Sequence, residues 1–184
     1  ERSFDLPVSS FNPVPNFKKN RQFVGINRVS KEASVFSFEF KKNESNDESF
    51  NIMDYDLFPE GEDGTSWTIA DFNRDGKDDV VAVSSSVSEL NFLPAFSGGE
   101  LGTVRKSPSL KGVNCLHAFK GSIDKSPGLL VLSQAEKIVG ISEFLNEGSF
   151  SFPKPLPVKA DPILSNCADI NGDKVDEALI IVED

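Results

Sequence analysis

The chain repeats one loop together with the apolar run that follows it. Residues 71–79 read Asp-Phe-Asn-Arg-Asp-Gly-Lys-Asp-Asp and run directly into four strand-forming residues, VVAV. Residues 169–177 read Asp-Ile-Asn-Gly-Asp-Lys-Val-Asp-Glu and again precede an apolar run. The second loop begins 98 residues after the first, and half of this offset, 49, leads from Val80 to Leu129, the start of another apolar run. Such a period is typical of solenoids, propellers and arrays.

Other positions keep the same period, which makes a chance recurrence a poor explanation. Leu101 corresponds to Phe150, and Pro108 corresponds to Pro157. Each unit contains short apolar runs separated by Gly, Pro, Ser or Asn, and no longer segment has the apolar spacing of a helix. The predicted strands are 23–26, 33–40 and 49–58, then 67–70, 80–84, 90–96 and 101–107, and then 115–119, 128–132, 138–144 and 150–156. Four strands in a repeat of this length predict an all-β chain built from β-propeller blades of four antiparallel strands.

The period also predicts how the chain divides. We expect one propeller segment with an outer strand of a preceding blade at 1–17, blades at 18–64, 65–113 and 114–162, and a partial blade at 163–184. A chain of 184 residues holds fewer than four such units, whereas closed propellers have four to eight blades. An arc of blades leaves exposed sheet edges that invite pairing. We therefore expect part of a larger propeller, completed by further sequence or by another chain.

The first loop has the chemistry of a cation site. Oxygen-bearing side chains recur at alternate positions, and a hard cation such as Ca²⁺ takes six to eight oxygen ligands. Without a cation, the carboxylates of Asp71, Asp75 and Asp79 would repel one another. A metal-free turn held by the Asp and Asn side chains is the competing interpretation. The predicted ligands are the side chains of Asp71, Asn73, Asp75 and Asp79 and the carbonyl of Lys77.

The two later loops differ in how much of this pattern they keep. In the second loop Lys174 replaces the turn glycine and Glu177 replaces the final aspartate, yet the side chains can still coordinate. The loop between them keeps only Asp124 as a carboxylate and gains Lys120, so we predict that it is metal-free. The predicted ligands of the second loop are Asp169, Asn171, Asp173, the backbone of Val175 and Glu177.

The motif Asp-x-Asn-x-Asp-Gly-x-x-Asp before a short strand, repeated at blade spacing, resembles the FG-GAP/VCBS repeats of integrin α-subunit propellers. The resemblance covers residues 15–184 and is most specific in the loop at 71–79. It implies that each such loop joins adjacent strands of a blade and holds Ca²⁺, as a clamp on the strand ends. It also implies a scaffold for recognition or adhesion whose ligand is a protein or a glycan.

Composition limits the partners and the compartment. The net charge of −10 disfavours binding to phosphate backbones, so we expect no nucleic-acid partner. No apolar run approaches the roughly 18 residues of a membrane span. The first residues do not resemble a signal peptide, which leaves a processed secreted chain, a fragment and a cytosolic protein open. The two cysteines, Cys115 and Cys167, are expected to be buried thiols, with a disulfide as the alternative.

No catalytic constellation emerges from the sequence. The single histidine, His117, lies on a predicted innermost strand, where a core or channel-lining role is favoured over general-base chemistry. We therefore expect a non-catalytic scaffold. The alternatives are a segment of a propeller enzyme acting on polysaccharide and an intracellular integrin-α-like adaptor. Extracellular Ca²⁺ modules bind at about 10⁻⁴ to 10⁻³ M, which favours an extracellular or cell-surface setting over the cytoplasm.

Overall fold

The structure is a computed structural model that describes residues 8–13, 20–27, 33–39, 49–55, 64–96, 100–145 and 148–183. Within these ranges every regular element is a β-strand, and all strand pairs are antiparallel. The predicted all-β class is confirmed. No helix among the described residues is long and apolar enough to cross a membrane.

The strands form a series of antiparallel sheets. The first sheet contains β1 (Val8–Pro13), β2 (Asn20–Asn27), β3 (Ala33–Glu39) and β4 (Ser49–Tyr55) in chain order. The second sheet contains β5 (Gly64–Ala70), β6 (Asp79–Ser84), β7 (Glu89–Leu93) and β8 (Arg105–Pro108), also in chain order. β1 lies in the segment that the sequence analysis assigned to a preceding blade, and it pairs with β2.

The third sheet has the same order with a short hairpin inserted. It contains β9 (Val113–Phe119), β10 (Gly128–Ser133), β11 (Ile138–Ser142) and β14 (Lys154–Pro155). Between β11 and β14 the chain forms a separate two-stranded hairpin, β12 (Phe144–Leu145) and β13 (Ser149–Phe150). The fourth sheet pairs β15 (Asp161–Ala168) with β16 (Glu177–Glu183). The described sheets do not close into a ring.

The strands keep the period of the sequence. β9, β10, β11 and β14 each begin 49 residues after β5, β6, β7 and β8, respectively. The fourth predicted strands, 101–107 and 150–156, are interrupted. In the second sheet only an isolated bridge joins Ala95 to Leu101, and the equivalent residues of the third sheet pair as Phe144 and Phe150. Pro153 explains the break between β13 and β14, since proline has no N–H to donate to a ladder.

The main core lies between neighbouring sheets. β10 is buried along its whole length, and successive side chains point to opposite faces. Leu129 and Val131 join a cluster with residues of the second sheet, whereas Leu130 and Leu132 join a cluster with residues of the fourth. This explains why the sequence of β10 shows a continuous apolar run rather than alternation.

Four phenylalanines fill the space between the second and third sheets. Phe72 follows β5, Phe92 lies on β7, and Phe144 and Phe150 lie on the hairpin of the third sheet. The ring centroids of Phe72 and Phe150 are 5.2 Å apart at an interplanar angle of 85°, and those of Phe92 and Phe144 are 5.4 Å apart at 63°. These edge-to-face arrangements are the favourable geometry for aromatic pairs. Phe72 therefore attaches the first loop to the next sheet.

Hydrogen bonds also join the edge strands of the second and third sheets. The N–H groups of Leu116 and Ala118 on β9 donate to the hydroxyls of Ser66 (3.2 Å) and Thr68 (2.9 Å) on β5. On the other side, the N–H of Phe150 donates to the Ser107 hydroxyl at 2.9 Å. These bonds satisfy N–H groups that an edge strand would otherwise leave unpaired.

The burial difference between equivalent leucines gives a direct test of this packing. Leu130 is fully buried, while Leu179, 49 residues later, is 44% exposed. We expect Leu130→Ala to lower the free energy of unfolding by about 2–5 kcal/mol, because it leaves a cavity. The matched change Leu179→Ala should cost less than about 1 kcal/mol. Urea unfolding of both variants measures the difference, and equal losses would contradict the packing of β10.

Candidate metal-binding loops

The first loop connects β5 to β6, and the carboxylate of Asp79 holds it closed. Asp79 is fully buried at the start of β6. Its Oδ2 accepts hydrogen bonds from the N–H groups of Phe72 (3.1 Å) and Asn73 (3.3 Å), and its Oδ1 accepts one from Ala95 (2.8 Å). A single carboxylate thus ties the entry of the loop to its exit and to the segment after β7.

The other predicted ligands of the first loop turn their oxygens inward. The N–H of Asp75 donates to both Asp71 Oδ1 (3.0 Å) and Asn73 Oδ1 (2.9 Å), so these two oxygens are close neighbours. Asp71 Oδ2 accepts from Gly76 at 2.9 Å, and Asp75 Oδ1 accepts from Lys77 at 3.0 Å. The loop is therefore built from successive turns closed by Asp and Asn side chains.

The second loop reproduces this hydrogen-bond network 98 residues later. Four hydrogen bonds have the same donor and acceptor positions in both loops, including the one that Glu177 accepts in place of Asp79. In the second loop they run from Asp173 to Asn171 Oδ1 (2.8 Å), from Val175 to Asp173 Oδ1 (2.8 Å), from Lys174 to Asp169 Oδ2 (2.8 Å) and from Ile170 to Glu177 Oε2 (2.9 Å). All ten predicted ligand residues therefore lie in two loops that have a common hydrogen-bond pattern.

The backbone of the two loops also agrees. Arg74 and Gly76 have positive φ angles of 61° and 83°, and the equivalent Gly172 and Lys174 have 84° and 70°. Lys174 thus takes the left-handed conformation that Gly76 adopts at the same position. The lysine that replaces the turn glycine is compatible with the loop, although a non-glycine residue adopts this conformation at a cost in free energy.

The longer side chain of Glu177 changes one detail of the second loop. Glu177 Oε1 accepts a hydrogen bond from the side-chain amide of Asn171 at 2.9 Å, and the same amide donates to Asp173 Oδ2 at 3.1 Å. In the first loop, Asp79 instead directs its second oxygen to Ala95. The second loop is consequently less attached to the core, since Asp169 is exposed and Glu177 half-buried where Asp71 is half-buried and Asp79 is buried.

The loop between them, predicted to be metal-free, is held by protein contacts. Of the shared network it keeps one weak turn, in which Asp124 N–H donates to the Ser122 hydroxyl at 3.4 Å. The Arg74 guanidinium donates to the Asp124 carbonyl, linking the first loop to this one. Lys120 and Asp176 exchange two hydrogen bonds, from Lys120 N–H to Asp176 Oδ2 (2.7 Å) and from Asp176 N–H to the Lys120 carbonyl (2.9 Å). These linking roles of Arg74 and Asp176 are not predictable from the local sequence, because each depends on the neighbouring sheet.

The donor chemistry of the two loops fits Ca²⁺, but the ligands are not preassembled. In residues 66–96, 100–145 and 148–183, no three His, Cys, Asp or Glu side chains are already grouped to hold a metal ion. Asp75 Oδ2 contacts the Lys77 ammonium at 3.0 Å, and Asp79 faces backbone N–H groups. An ionised carboxylate has about four lone-pair sites, so the two hydrogen bonds that Asp71 accepts and the three that Asp79 accepts leave some capacity for a cation. The oxygen-only donor set suits Ca²⁺ better than a transition metal.

Electrostatics single out Asp79. Burial raises the pKa of its carboxyl from the ordinary 3.8 to about 6, and the charge of Asp75 adds to the rise. The N–H groups of Ala95, Asn73 and Phe72 oppose the increase by stabilising the ionised form. A bound cation would likewise favour the ionised form of this carboxyl.

The raised pKa of Asp79 predicts a specific pH dependence of stability. The protonated carboxyl stabilises the metal-free fold below pH 3.8, and this contribution is lost as the pH rises through about 6. In the presence of chelator, the urea midpoint of the wild type should fall relative to Asp79→Asn across this range, because the amide does not ionise. Saturating Ca²⁺ should remove the decline. A wild-type-minus-variant difference that is constant with pH in chelator would contradict the assignment.

The remaining candidate residues lie away from the loops. His117 lies on β9 opposite Leu130, and its Nε2 is buried without a hydrogen-bond partner among the described residues. Both cysteines are free thiols and half-buried. The Cys167 thiol donates to the Ala118 carbonyl at 2.9 Å, and burial, assisted by the charge of Asp176, raises its pKa to about 11.

The raised pKa of Cys167 predicts low reactivity. In a Cys115→Ser variant, the remaining thiol should react with a disulfide reagent at pH 8 at least about tenfold more slowly than free cysteine, because thiolate is the reactive form. The reciprocal Cys167→Ser variant reports on Cys115 in the same assay. Labelling of Cys167 at the rate of free cysteine in the folded protein would contradict its burial.

A cavity of about 550 Å³ lies beside the third-sheet loop. Its wall combines charged side chains of both signs, including Arg74, Lys125 and Glu143, with the rings of Phe119 and Phe144. None of these residues was predicted from the sequence as a binding residue, because the wall combines three separate segments of the chain.

No protein-family model, curated protein or solved structure matches the chain. The resemblance to FG-GAP/VCBS repeats therefore depends on the loop residues and on the spacing of the repeat.

Proposed function

We propose that the chain is a Ca²⁺-stabilised β-propeller segment of the FG-GAP/VCBS type that acts as a non-catalytic scaffold for recognition or adhesion. The observation that carries the proposal is the shared network of the two loops. They share four hydrogen bonds and the same left-handed positions 98 residues apart. Two loops with a shared hydrogen-bond pattern, each joining the first two strands of its sheet, favour a common ligand.

The arrangement of the sheets supports the propeller part of the proposal. Three sheets have four antiparallel strands in chain order, and the strands of the second and third sheets start at a constant offset of 49 residues. The second and third sheets pack face to face, with the edge strands β5 and β9 in contact, and the third sheet packs on the fourth. Four-stranded sheets repeated in this manner are the units of propellers. Further blades, from the same chain or another, would complete the ring.

The proposed cation has a structural role. The first loop joins the end of β5 to the start of β6, so a cation bound by Asp71, Asn73, Asp75 and Asp79 would hold both strand ends together. A cation surrounded by protein oxygens lacks an open position at which to activate water. The expected affinity of about 10⁻⁴ to 10⁻³ M matches extracellular modules. We therefore propose an extracellular or cell-surface setting, with the cytoplasm as the alternative.

The recognised partner is proposed to be a protein or a glycan that binds to loops at a sheet end. The cavity beside the third-sheet loop offers charged groups of both signs next to aromatic rings. Such a wall provides hydrogen-bonding groups and a stacking surface in one place. The net charge of −10 argues against nucleic acid.

Calorimetric titration with Ca²⁺ tests the proposal. We expect the wild type to bind two ions, and Asp75→Ala to remove one of them. Asp124→Ala is the matched control, because Asp124 lies 49 residues after Asp75 in the loop predicted to be metal-free. Saturation at 100 times the dissociation constant should stabilise the fold by about 2.7 kcal/mol per site.

Two results would overturn the metal assignment. One is the absence of both binding heat and any gain in thermal stability with Ca²⁺. The other is an equal loss of binding in Asp75→Ala and Asp124→Ala, which would show that the effect comes from general negative charge rather than from the first loop.

A further inference from the structure

The third-sheet loop, residues 120–128, borders the cavity of about 550 Å³. This volume lies within the range of roughly 300–1,000 Å³ that is usual for ligand pockets. Three of the lining residues are Gly121, Gly128 and Ile141. Each of them lies 49 residues after a buried residue of the second sheet or its loop, so the repeat shows which side chains the cavity has replaced.

Two aromatic rings of the second sheet and its loop are absent at the equivalent positions of the third. Gly121 and Ile141 lie 49 residues after Phe72 and Phe92, respectively. The centroids of those two rings are 6.3 Å apart, and both side chains are buried. The second loop retains an apolar side chain, Ile170, at the position of Phe72. Of the three loops, only the third-sheet loop has a glycine there, which leaves space where the first loop is filled.

The carboxylate that closes the first loop is also absent. Gly128 takes the position of Asp79, whereas the second loop has Glu177 there. A Cβ atom on Gly128 would lie 2.5 Å from the Ser142 carbonyl oxygen, which is closer than such atoms approach in proteins. β10 and β11 therefore leave no room for a side chain at this point. The packing of the strands themselves keeps the third-sheet loop without a closing carboxylate.

Two charged side chains of opposite sign line the cavity without a protein partner. They belong to Lys125 and Glu143, and both residues are exposed. Among the described residues, neither side chain has a hydrogen-bond or ion-pair partner. By contrast, the ammonium groups of Lys77, Lys106 and Lys137 each contact a carboxylate. Lys125 and Glu143 are thus available to a ligand.

Other parts of the wall add donors and apolar rings. Arg74 extends from the first loop and donates to the Asp124 carbonyl. A guanidinium has five N–H donors, so this bond leaves donors for a ligand. Phe119 and Phe144 also line the cavity and are half-buried. The wall therefore combines donors, acceptors and aromatic surface.

The balance of charge limits the chemistry of the ligand. Arg74 and Lys125 supply two positive charges to the wall, and Asp124 and Glu143 supply two negative charges, although the whole chain has a net charge of −10. An anionic ligand would be repelled by the carboxylates, and a cationic one by the ammonium and the guanidinium. A hydroxyl group both donates and accepts, so it can bond to an ammonium and to a carboxylate. An uncharged ligand that is rich in hydroxyl groups matches this wall.

A peptide strand matches the cavity less well. Extended peptides bind by adding a strand to an unpaired sheet edge. The strand residues of this wall are already paired within the third sheet, Gly128 with Phe119, and Ile141 with both Leu130 and Lys154. The cavity therefore offers side chains rather than a ladder of free backbone groups.

We infer that the cavity at the third-sheet loop is a binding site for an uncharged oligosaccharide. The rings of Phe119 and Phe144 pack against the C–H face of a sugar ring, while Lys125 and Glu143 form hydrogen bonds with its hydroxyl groups. The inference rests on the recognition role of the proposed function, whose ligand class it specifies, and it requires no Ca²⁺.

A printed array of neutral oligosaccharides, acidic oligosaccharides and peptides tests the inference. We expect binding to neutral oligosaccharides. Calorimetric titration with the neutral oligosaccharide that binds most tightly then compares variants. Lys125→Met and Glu143→Gln should each weaken the affinity by at least about tenfold, because each change removes a hydrogen bond to a charged group. Both residues are exposed, so the variants should keep the fold.

The matched control is Lys159→Met. Lys159 is also exposed but lies outside the cavity wall, so this variant changes the net charge equally and should bind as the wild type does. Three results would overturn the inference. They are the absence of any neutral oligosaccharide that binds, tighter binding of acidic oligosaccharides or peptides than of neutral oligosaccharides, and equal losses of affinity in the two lysine variants.

The same titrations, performed with Ca²⁺ and with chelator, separate the sugar site from the metal assignment. Oligosaccharide binding in chelator, together with an absent Ca²⁺ titration, would reject the metal assignment while supporting the sugar site. Ca²⁺ binding without binding of any neutral oligosaccharide would overturn the sugar site and leave the Ca²⁺-stabilised scaffold in place.

Discussion

The fold depends on central strands that have no polar face. β6 and β10 are buried on both sides, so each sheet requires a neighbour on each face. In the described residues this requirement is met between the second and third sheets and between the third and fourth. The hydrophobic burial of these strands, rather than the loops, sets the order of the sheets. The loops are consequently held at equivalent places by the packing of the strands that they join.

Asp79 links the first loop to this core. Its carboxylate is buried at the start of a central strand. It accepts hydrogen bonds from three backbone N–H groups in two parts of the chain. Phe72, a neighbour within the same loop, packs into the aromatic cluster of the next sheet. The raised pKa of Asp79 shows that this burial has an electrostatic cost. A cation in the first loop would compensate that cost, which is why metal binding and fold stability are expected to be coupled here.

Local patterns were sufficient to predict most strands and the positions of the two loops, whereas the turns closed by Asp and Asn side chains were only the competing interpretation of the first loop. The apolar runs at Val80 and Leu129 correspond to β6 and β10, and the alternating Asp and Asn side chains form the turns of both loops. The outer strands were less predictable. A continuous strand at 150–156 was wrong, since Pro153 and the neighbouring sheet favour a separate hairpin. The roles of Arg74 and Asp176 could not be predicted, because their partners lie on another unit of the repeat.

The β class, the period of 49 residues and the residue types that line the two loops all follow from the sequence without knowledge of the fold. These properties depend on side-chain chemistry and on spacing along the chain, both of which are local. Which equivalent positions are buried follows only from the packing of the sheets. Leu130 and Leu179 have the same residue type and the same place in the repeat, yet one is fully buried and the other is exposed. The difference arises because burial depends on whether another sheet covers the face, and this is a property of the packed molecule.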